Sequence, residues 1–198
     1  DQPNAVYPVI TGDQDVPPTA QGMLNQLPRN TTRAALSIFA SGNGNEEFWY
    51  THDLMANDTG NNLGPTRLVQ VWVNGQLAGL ANPFPVIYTG GMSVLTWREI
   101  LGLKVMDVPS YIIDISPFLP TLWDSDTVVE VTVTNGYDNN PVDDGWLVSA
   151  SCLTWQQSGV KGSGSQKPGA WLNTSLARTL TDATWIAGYT HSLTTTAW

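Results

Sequence analysis

Carboxylates and aromatic rings are the side chains of this sequence whose spacing can do chemistry. Four glutamates occur, Glu46, Glu47, Glu99 and Glu130, and two of them are adjacent in Ser41-Gly42-Asn43-Gly44-Asn45-Glu46-Glu47-Phe48-Trp49-Tyr50. The Gly/Asn-rich loop follows a core-like run and leads straight into three aromatics. Adjacent residues of extended chain point to opposite faces. One carboxylate of the pair can therefore enter a cleft while its neighbour faces solvent. A carboxylate beside Trp49 and Tyr50 suits a carbohydrate: the rings stack on pyranose faces, and the acid grips hydroxyls or moves a proton. The same residues also read as an ordinary acidic turn before an edge strand. A second group, Thr96-Trp97-Arg98-Glu99-Ile100, follows the loop Tyr88-Thr89-Gly90-Gly91. Trp97, Arg98 and Glu99 can line the same cleft, and a surface ion pair over the indole is the plainer alternative.

Other chemistries lack their residues. A zinc site needs three or four ligands, and the sequence offers His52 and His191 at unrelated positions and the single Cys152. No phosphate-cradling Gly-rich motif and no Gly-x-Ser-x-Gly elbow occurs. The loop from Asp138 to Asp144 has no EF-hand spacing and reads as a solvated turn. The sequence thus implies neither a metal nor a cofactor.

Bulk composition agrees. Seventeen acidic residues stand against eight Lys plus Arg, a net charge of -9. That charge repels phosphate backbones and anionic bilayers, so neither nucleic acid nor membrane is an expected partner. No basic stretch followed by an apolar run opens the chain, as expected once a secretory leader has been removed. Only 13% of residues are charged, and polarity comes from Asn, Thr, Ser and Gly beside nine Trp. Such a surface suits secretion and sugar contact, although structural β-sandwiches share it. Three acceptor sequons, at Asn30, Asn57 and Asn173, favour an extracellular location.

The elements that must position these groups are strands. No segment holds a helical apolar rhythm for three turns. Ala34, Leu36, Ile38 and Ala40 alternate with Arg33, Ala35, Ser37 and Phe39. The run from Leu68 to Val73 meets Asn74-Gly75 and then Gln76-Leu77-Ala78-Gly79, a hairpin signal because a type I′ turn needs positive φ at both central residues. Val86 to Tyr88, Tyr111 to Ile115, Val128 to Val133 and Trp146 to Trp155 read as further strands. In the last, Trp146, Val148, Ala150 and Cys152 share one face, so the thiol is either buried and inert or bonded to another chain. Many strands without crossover helices predict an all-β fold, an antiparallel jelly-roll sandwich. Residues 1–30 read as a Pro-rich extension with one short strand, Val6 to Thr11. Residues 31–157 read as the jelly-roll domain that carries the site. Residues 158–198 open with a linker, Ser158 to Ser165. They continue as a β tail with strands over Ala170 to Leu180 and Thr184 to Trp198, too short for a domain of its own and expected to continue elsewhere.

Several stretches together resemble the plant and fungal acidic type of peptide N-glycanase. They are Leu27 to Ala34, Glu46-Glu47-Phe48-Trp49-Tyr50, Val71 to Gly79, Pro83 to Gly91, Leu95-Thr96-Trp97-Arg98 and Ile113 to Leu119. They span roughly residues 7–156. The core also looks distantly like the second jelly roll of the bacterial peptide N-glycosidase. The resemblance implies hydrolysis of the amide between asparagine and the first N-acetylglucosamine of N-linked glycans. It implies Glu47 as the active-site carboxylate, with Glu46 as its neighbour in the catalytic pair, and sets Trp97 near a sugar-contacting Trp; Trp49, Tyr50, Tyr88 and Arg98 are read from their place around these residues as further substrate contacts. It further implies that the main catalytic Asp comes from a preceding jelly roll or a second chain, so that this chain is one subunit or fragment of a two-chain enzyme. A lectin-like module that holds glycans without cutting them, and a purely structural subunit, are the alternatives. Produced in a eukaryotic secretory host, the chain should carry a glycan on at least one of Asn30, Asn57 and Asn173. An intact mass equal to the bare 21.5 kDa polypeptide would contradict this.

Overall fold

The structure is a computed structural model that describes residues 2–15, 19–52, 64–83, 85, 108–135, 141–142, 145–165, 180–186 and 190–196. Eight strands build two antiparallel sheets. They are β1 (Ala5–Asp15), β2 (Thr19–Leu24), β3 (Thr31–Gly42), β4 (Leu68–Val73), β5 (Gln76–Ala81), β6 (Tyr111–Asp114), β7 (Thr127–Thr134) and β8 (Trp146–Gln156). The first sheet has the order β1-β8-β3-β6 and the second β2-β7-β4-β5. Every two consecutive strands from β1 to β8 thus lie in opposite sheets, except β4 and β5, which pair as neighbours. This is the double Greek key of a jelly roll, as the sequence predicts.

Period-2 burial builds the core between the sheets. From the first sheet come Ala34, Leu36, Ile38 and Ala40 of β3 and Trp146, Val148, Ala150 and Cys152 of β8. Val69, Val71 and Val73 of β4 and Val129, Val131 and Val133 of β7 answer them from the second. The Asn74-Gly75 turn has φ of 48° and 72°, and Asn74 ties it to β7 by accepting from the Val128 amide at 2.9 Å. A side chain at Gly75 meets no neighbour, so it is the positive φ, and not space, that selects glycine there.

Four expectations change. Residues 1–30 are not an extension with one short strand: β1 belongs to the first sheet and β2 to the second, so the sandwich begins at Ala5. Proline at position 8 and two register shifts in β1 break its alternation, and Gly22 weakens the pattern of β2; pairing with β8 and β7 supplies what local propensity does not. A short helix, α1 (Leu119–Asp124), follows a 3₁₀ turn at Ser116–Phe118. Its six residues are too few to display a helical rhythm. The segment 158–165 has no regular structure, yet it is held: the Gly162 amide donates to the Arg29 carbonyl at 2.6 Å, and the Arg29 guanidinium returns a bond to the Gly162 carbonyl. Beyond it, β9 (Leu180–Ile186) pairs with β10 (Thr190–Thr196), with Thr190 opposite Ile186. The single strand read over Thr184 to Trp198 is therefore parts of two strands of a hairpin. The strands read at Val86 to Tyr88 and, up to residue 179, from Ala170 lie outside the described residues.

Cys152 is fully buried and unbonded. Burial pushes its thiol up to about 12, because the thiolate loses its hydration in an apolar core. At pH 8 the native thiolate fraction is then on the order of one in ten thousand. Iodoacetamide at that pH should leave the native chain unlabelled and modify Cys152 fully in denaturant, read by intact mass.

Candidate active site

The loop that carries the acidic pair leaves the sandwich at Gly42 of β3, opposite Trp146 of β8. The chain returns at Leu68 of β4, opposite Thr134 at the end of β7. Ala81 of β5 pairs with Val69, and Tyr111 of β6 pairs with Ile38. The connections β1–β2, β3–β4, β5–β6 and β7–β8 therefore all start and finish at one end of the sandwich. Tyr88, Trp97 and Arg98 belong to the β5–β6 connection, and Asn57 to the β3–β4 connection; these residues, with Asn173, lie outside the described residues. Asn30 lies at the opposite end, next to Thr31, which pairs with Gln156.

The acidic pair is not in extended chain. A 3₁₀ turn spans Gly44–Glu46, Glu47 follows with φ -57° and ψ -41°, and a second turn covers Trp49–Thr51. Asn43 anchors the first turn: its amide donates to Gly145 at 2.6 Å and its carbonyl accepts from the Glu46 amide at 2.9 Å. Gly145 has φ +80°, and a Cβ there would stand 2.7 Å from the Asn43 carbonyl oxygen, so backbone and space both demand glycine. The turn still sends the two carboxylates in opposite directions, but the division is between interior and solvent: Glu46 is 2% exposed, whereas Glu47 is exposed.

Glu46 is held by groups that the sequence reading did not place in the site. Arg67, 1% exposed, donates from Nε to Oε2 at 2.6 Å and from Nη2 to Oε1 at 2.9 Å. Trp146 Nε1 donates to the same Oε2 at 2.8 Å. Arg67 also gives Nη1 to the carbonyls of Gly64 and Thr66, at 2.7 and 2.8 Å. Its Nη2 makes a second bond, to His52 Nδ1 at 2.9 Å. All five guanidinium N–H groups thus have acceptors. An arginine nitrogen only donates, so His52 Nδ1 is the acceptor and Nε2–H is the donor to the Asn45 carbonyl, at 3.0 Å. The 3.6 Å approach of His52 Nδ1 to Glu46 Oε1 is then two acceptors sharing one Arg67 nitrogen, not an ion pair. Trp49 closes the cluster, its ring 5.9 Å from the guanidinium carbon and 6.3 Å from the Trp146 ring.

Outside this cluster, Glu47 shares the surface with Phe48 and the half-buried Tyr50. Phe48 is 43% exposed, and its ring stands edge-on to Tyr50 at 6.4 Å. Tyr50 in turn meets buried Trp49 edge-on at 5.8 Å. Burial first, and then the charge of Glu47, push the Tyr50 phenol above its ordinary value, so across neutral pH it is a hydroxyl donor beside a carboxylate. The sequence-predicted contacts therefore divide: Tyr50 stands with Glu47, whereas Trp49 is 7% exposed and packs inward. Among the described residues no three His, Cys, Asp or Glu side chains gather as metal ligands. Chemically, the surface offers an acid/base carboxylate, a phenol and an aromatic face, all fixed to a rigid polar anchor.

The family model for peptide N-acetyl-β-D-glucosaminyl asparaginase amidase A matches residues 9–168. A peptide-N4-(N-acetyl-β-glucosaminyl)asparagine amidase A of Prunus dulcis is 35% identical over 137 residues, 66% of this chain. The chain spans 23% of that relative's length. Among solved structures, a peptide-N(4)-(N-acetyl-β-D-glucosaminyl)asparagine amidase is 16% identical with a TM-score of 0.44, over 80% of this chain and 54% of that one. A structure of PNGF-II is 12% identical with a TM-score of 0.43, over 82% and 32%.

Removing one partner of a buried, fully bonded ion pair leaves a charge stranded in low dielectric, at a cost of about 3–5 kcal/mol. Glu46→Gln and Arg67→Met should each lower unfolding stability by that order in urea titrations. The double variant should lose clearly less than their sum. Additive losses would mean that the two side chains do not act as a pair.

Proposed function

Because the chain belongs to the peptide N-acetyl-β-D-glucosaminyl asparaginase amidase A family, we propose that it carries part of the site of an amidase that releases N-linked glycans from asparagine. The substrate is an N-glycopeptide or glycoprotein. The bond cut is the amide between the asparagine side chain and the first N-acetylglucosamine. Water adds to the carboxamide carbon, the C–N bond breaks as the nitrogen takes a proton, and the products are an aspartate side chain and a glycosylamine. The observation that carries this reading is the outward Glu47 carboxylate, set beside Phe48 and Tyr50 on a turn whose other acid is locked inside.

Glu47 orients the water and moves its proton, while the Tyr50 hydroxyl and the Phe48 face hold the sugar. Glu46 acts as the anchor and does not touch substrate. Trp97, Arg98 and Tyr88 extend the sugar contacts from the β5–β6 connection, which starts and finishes at the same end. Amide hydrolysis also needs stabilisation of the developing oxyanion, and one glutamate seldom supplies both functions. On the family resemblance, the main catalytic Asp comes from a preceding jelly-roll domain or a second chain, which makes a two-chain or multidomain enzyme. The outer face of the first sheet exposes Val6 and Ile112, by 56% and 55%, on its two edge strands, where a neighbouring domain can cover them. Secretion is part of the same reading, supported by the sequons.

The test uses the full-length enzyme and a glycopeptide, with conversion of Asn to Asp followed by mass spectrometry. Glu47→Gln should lower kcat by ~100- to 10,000-fold and leave the melting temperature unchanged, since the side chain is exposed. A loss below tenfold would remove Glu47 from the chemistry.

A further inference from the structure

The outer face of the second sheet holds a groove that the amidase reading does not use. Inward positions of β4 and β7 are valines, so their intervening residues face out: Gln70 and Trp72 from β4, Glu130 and Thr132 from β7. Thr19 and Gln21 of β2 complete the rows. Register sets Gln21 opposite Glu130 and Glu130 opposite Trp72, then Thr19 opposite Thr132 and Thr132 opposite Gln70. The resulting depression has a volume of about 290 Å³. It runs toward the loop end, where Thr134 bridges to Pro141.

We propose that this groove is a saccharide-binding site, separate from the loop site, that takes a neutral oligosaccharide. Its rows sort by chemistry. One places an indole beside a carboxylate: the ring offers a flat apolar platform for the C–H face of a pyranose, and the carboxylate accepts from neighbouring hydroxyls. Gln21 Nε2 orients that carboxylate through Oε1 at 3.3 Å. The other row supplies paired hydroxyls and an amide, with Thr19 Oγ1 3.2 Å from Thr132 Oγ1 and Gln70 Nε2 donating to Thr134 Oγ1 at 3.4 Å. These groups both donate and accept, as a polyol requires. Trp72 supplies the broad flat ring among the Thr, Gln and Glu side chains that line the groove, and Met23 opposite Val128 continues the same face with apolar surface. Among the described residues no Lys or Arg lines the groove, and the chain carries a net charge of -9, so anionic ligands are disfavoured. The volume lies at the small end of the range for ligand pockets, roughly 300–1,000 Å³, which fits one end of a glycan and not a folded peptide.

The inference rests on the groove's own chemistry and not on hydrolysis, so its test needs no turnover. Saturation-transfer difference NMR on the full chain, with mannotriose and N,N′-diacetylchitobiose as neutral probes and 3′-sialyllactose as the anionic one, reads binding directly. At least one neutral probe should receive transfer that saturates with concentration. Trp72→Ala should weaken it about tenfold or more, Glu130→Gln should weaken it also, and Trp72→Phe should retain most of it. Should Trp72→Ala fail to fold, Glu130→Gln against Trp72→Phe decides the matter. No transfer from either neutral probe, transfer unaffected by the groove variants, transfer lost only in Glu47→Gln, or equal transfer to 3′-sialyllactose through Trp72 would each overturn the proposal.

Discussion

The bond on which the loop end depends is the buried pair of Glu46 with Arg67. A carboxylate and a guanidinium removed from water gain from each other only if geometry is good and every remaining donor is met. Here both conditions hold, since Arg67 fills its five donors and Glu46 takes a third bond from Trp146. The pair thereby ties the end of β3 to the start of β4 and the start of β8. Three parts of the chain far apart in sequence are fixed by one cluster. The turn that carries Glu47 is rigid because its preceding residue has no freedom to leave.

That rigidity matters for chemistry. A surface carboxylate on a Gly/Asn loop would ordinarily sample many directions, and acid/base work needs a defined one. The interior cluster commits five side chains to structure, and the exposed Glu47 follows directly on it. Tyr50 links the two halves: it meets Trp49 of the cluster by ring contact and feels the charge of Glu47. The jelly-roll order adds the larger geometry. Because pairs of consecutive strands cross between sheets, four connections converge at one end, and Asn30 lies at the other.

Much of the fold was legible in the sequence. The alternation in β3, β7 and β8 names the core face, because a period of two puts every second side chain between the sheets. Asn74-Gly75 names its hairpin, because few residues tolerate positive φ. Less was legible in β1 and β2: proline, register shifts and Gly22 interrupt their alternation, and their strand character comes from the neighbours that pair with them. The helix at Leu119–Asp124 falls below the length at which periodicity speaks.

For the site, sequence determined the residue types and their adjacency: two acids, three aromatics and a loop able to turn. The divergence of Glu46 and Glu47 is read from extended-chain geometry, whereas the 3₁₀ turn at Gly44–Glu46 is what separates them. Which of them faces inward depended on a partner. Arg67 lies 21 positions from Glu46 and Trp146 lies 100 positions away, and no local pattern encodes a bond across such distances. Only the closing of the sandwich brings a guanidinium and an indole N–H to one carboxylate. Once they bind it, desolvation without them would be prohibitive, and Glu47 is left as the acid that faces solvent.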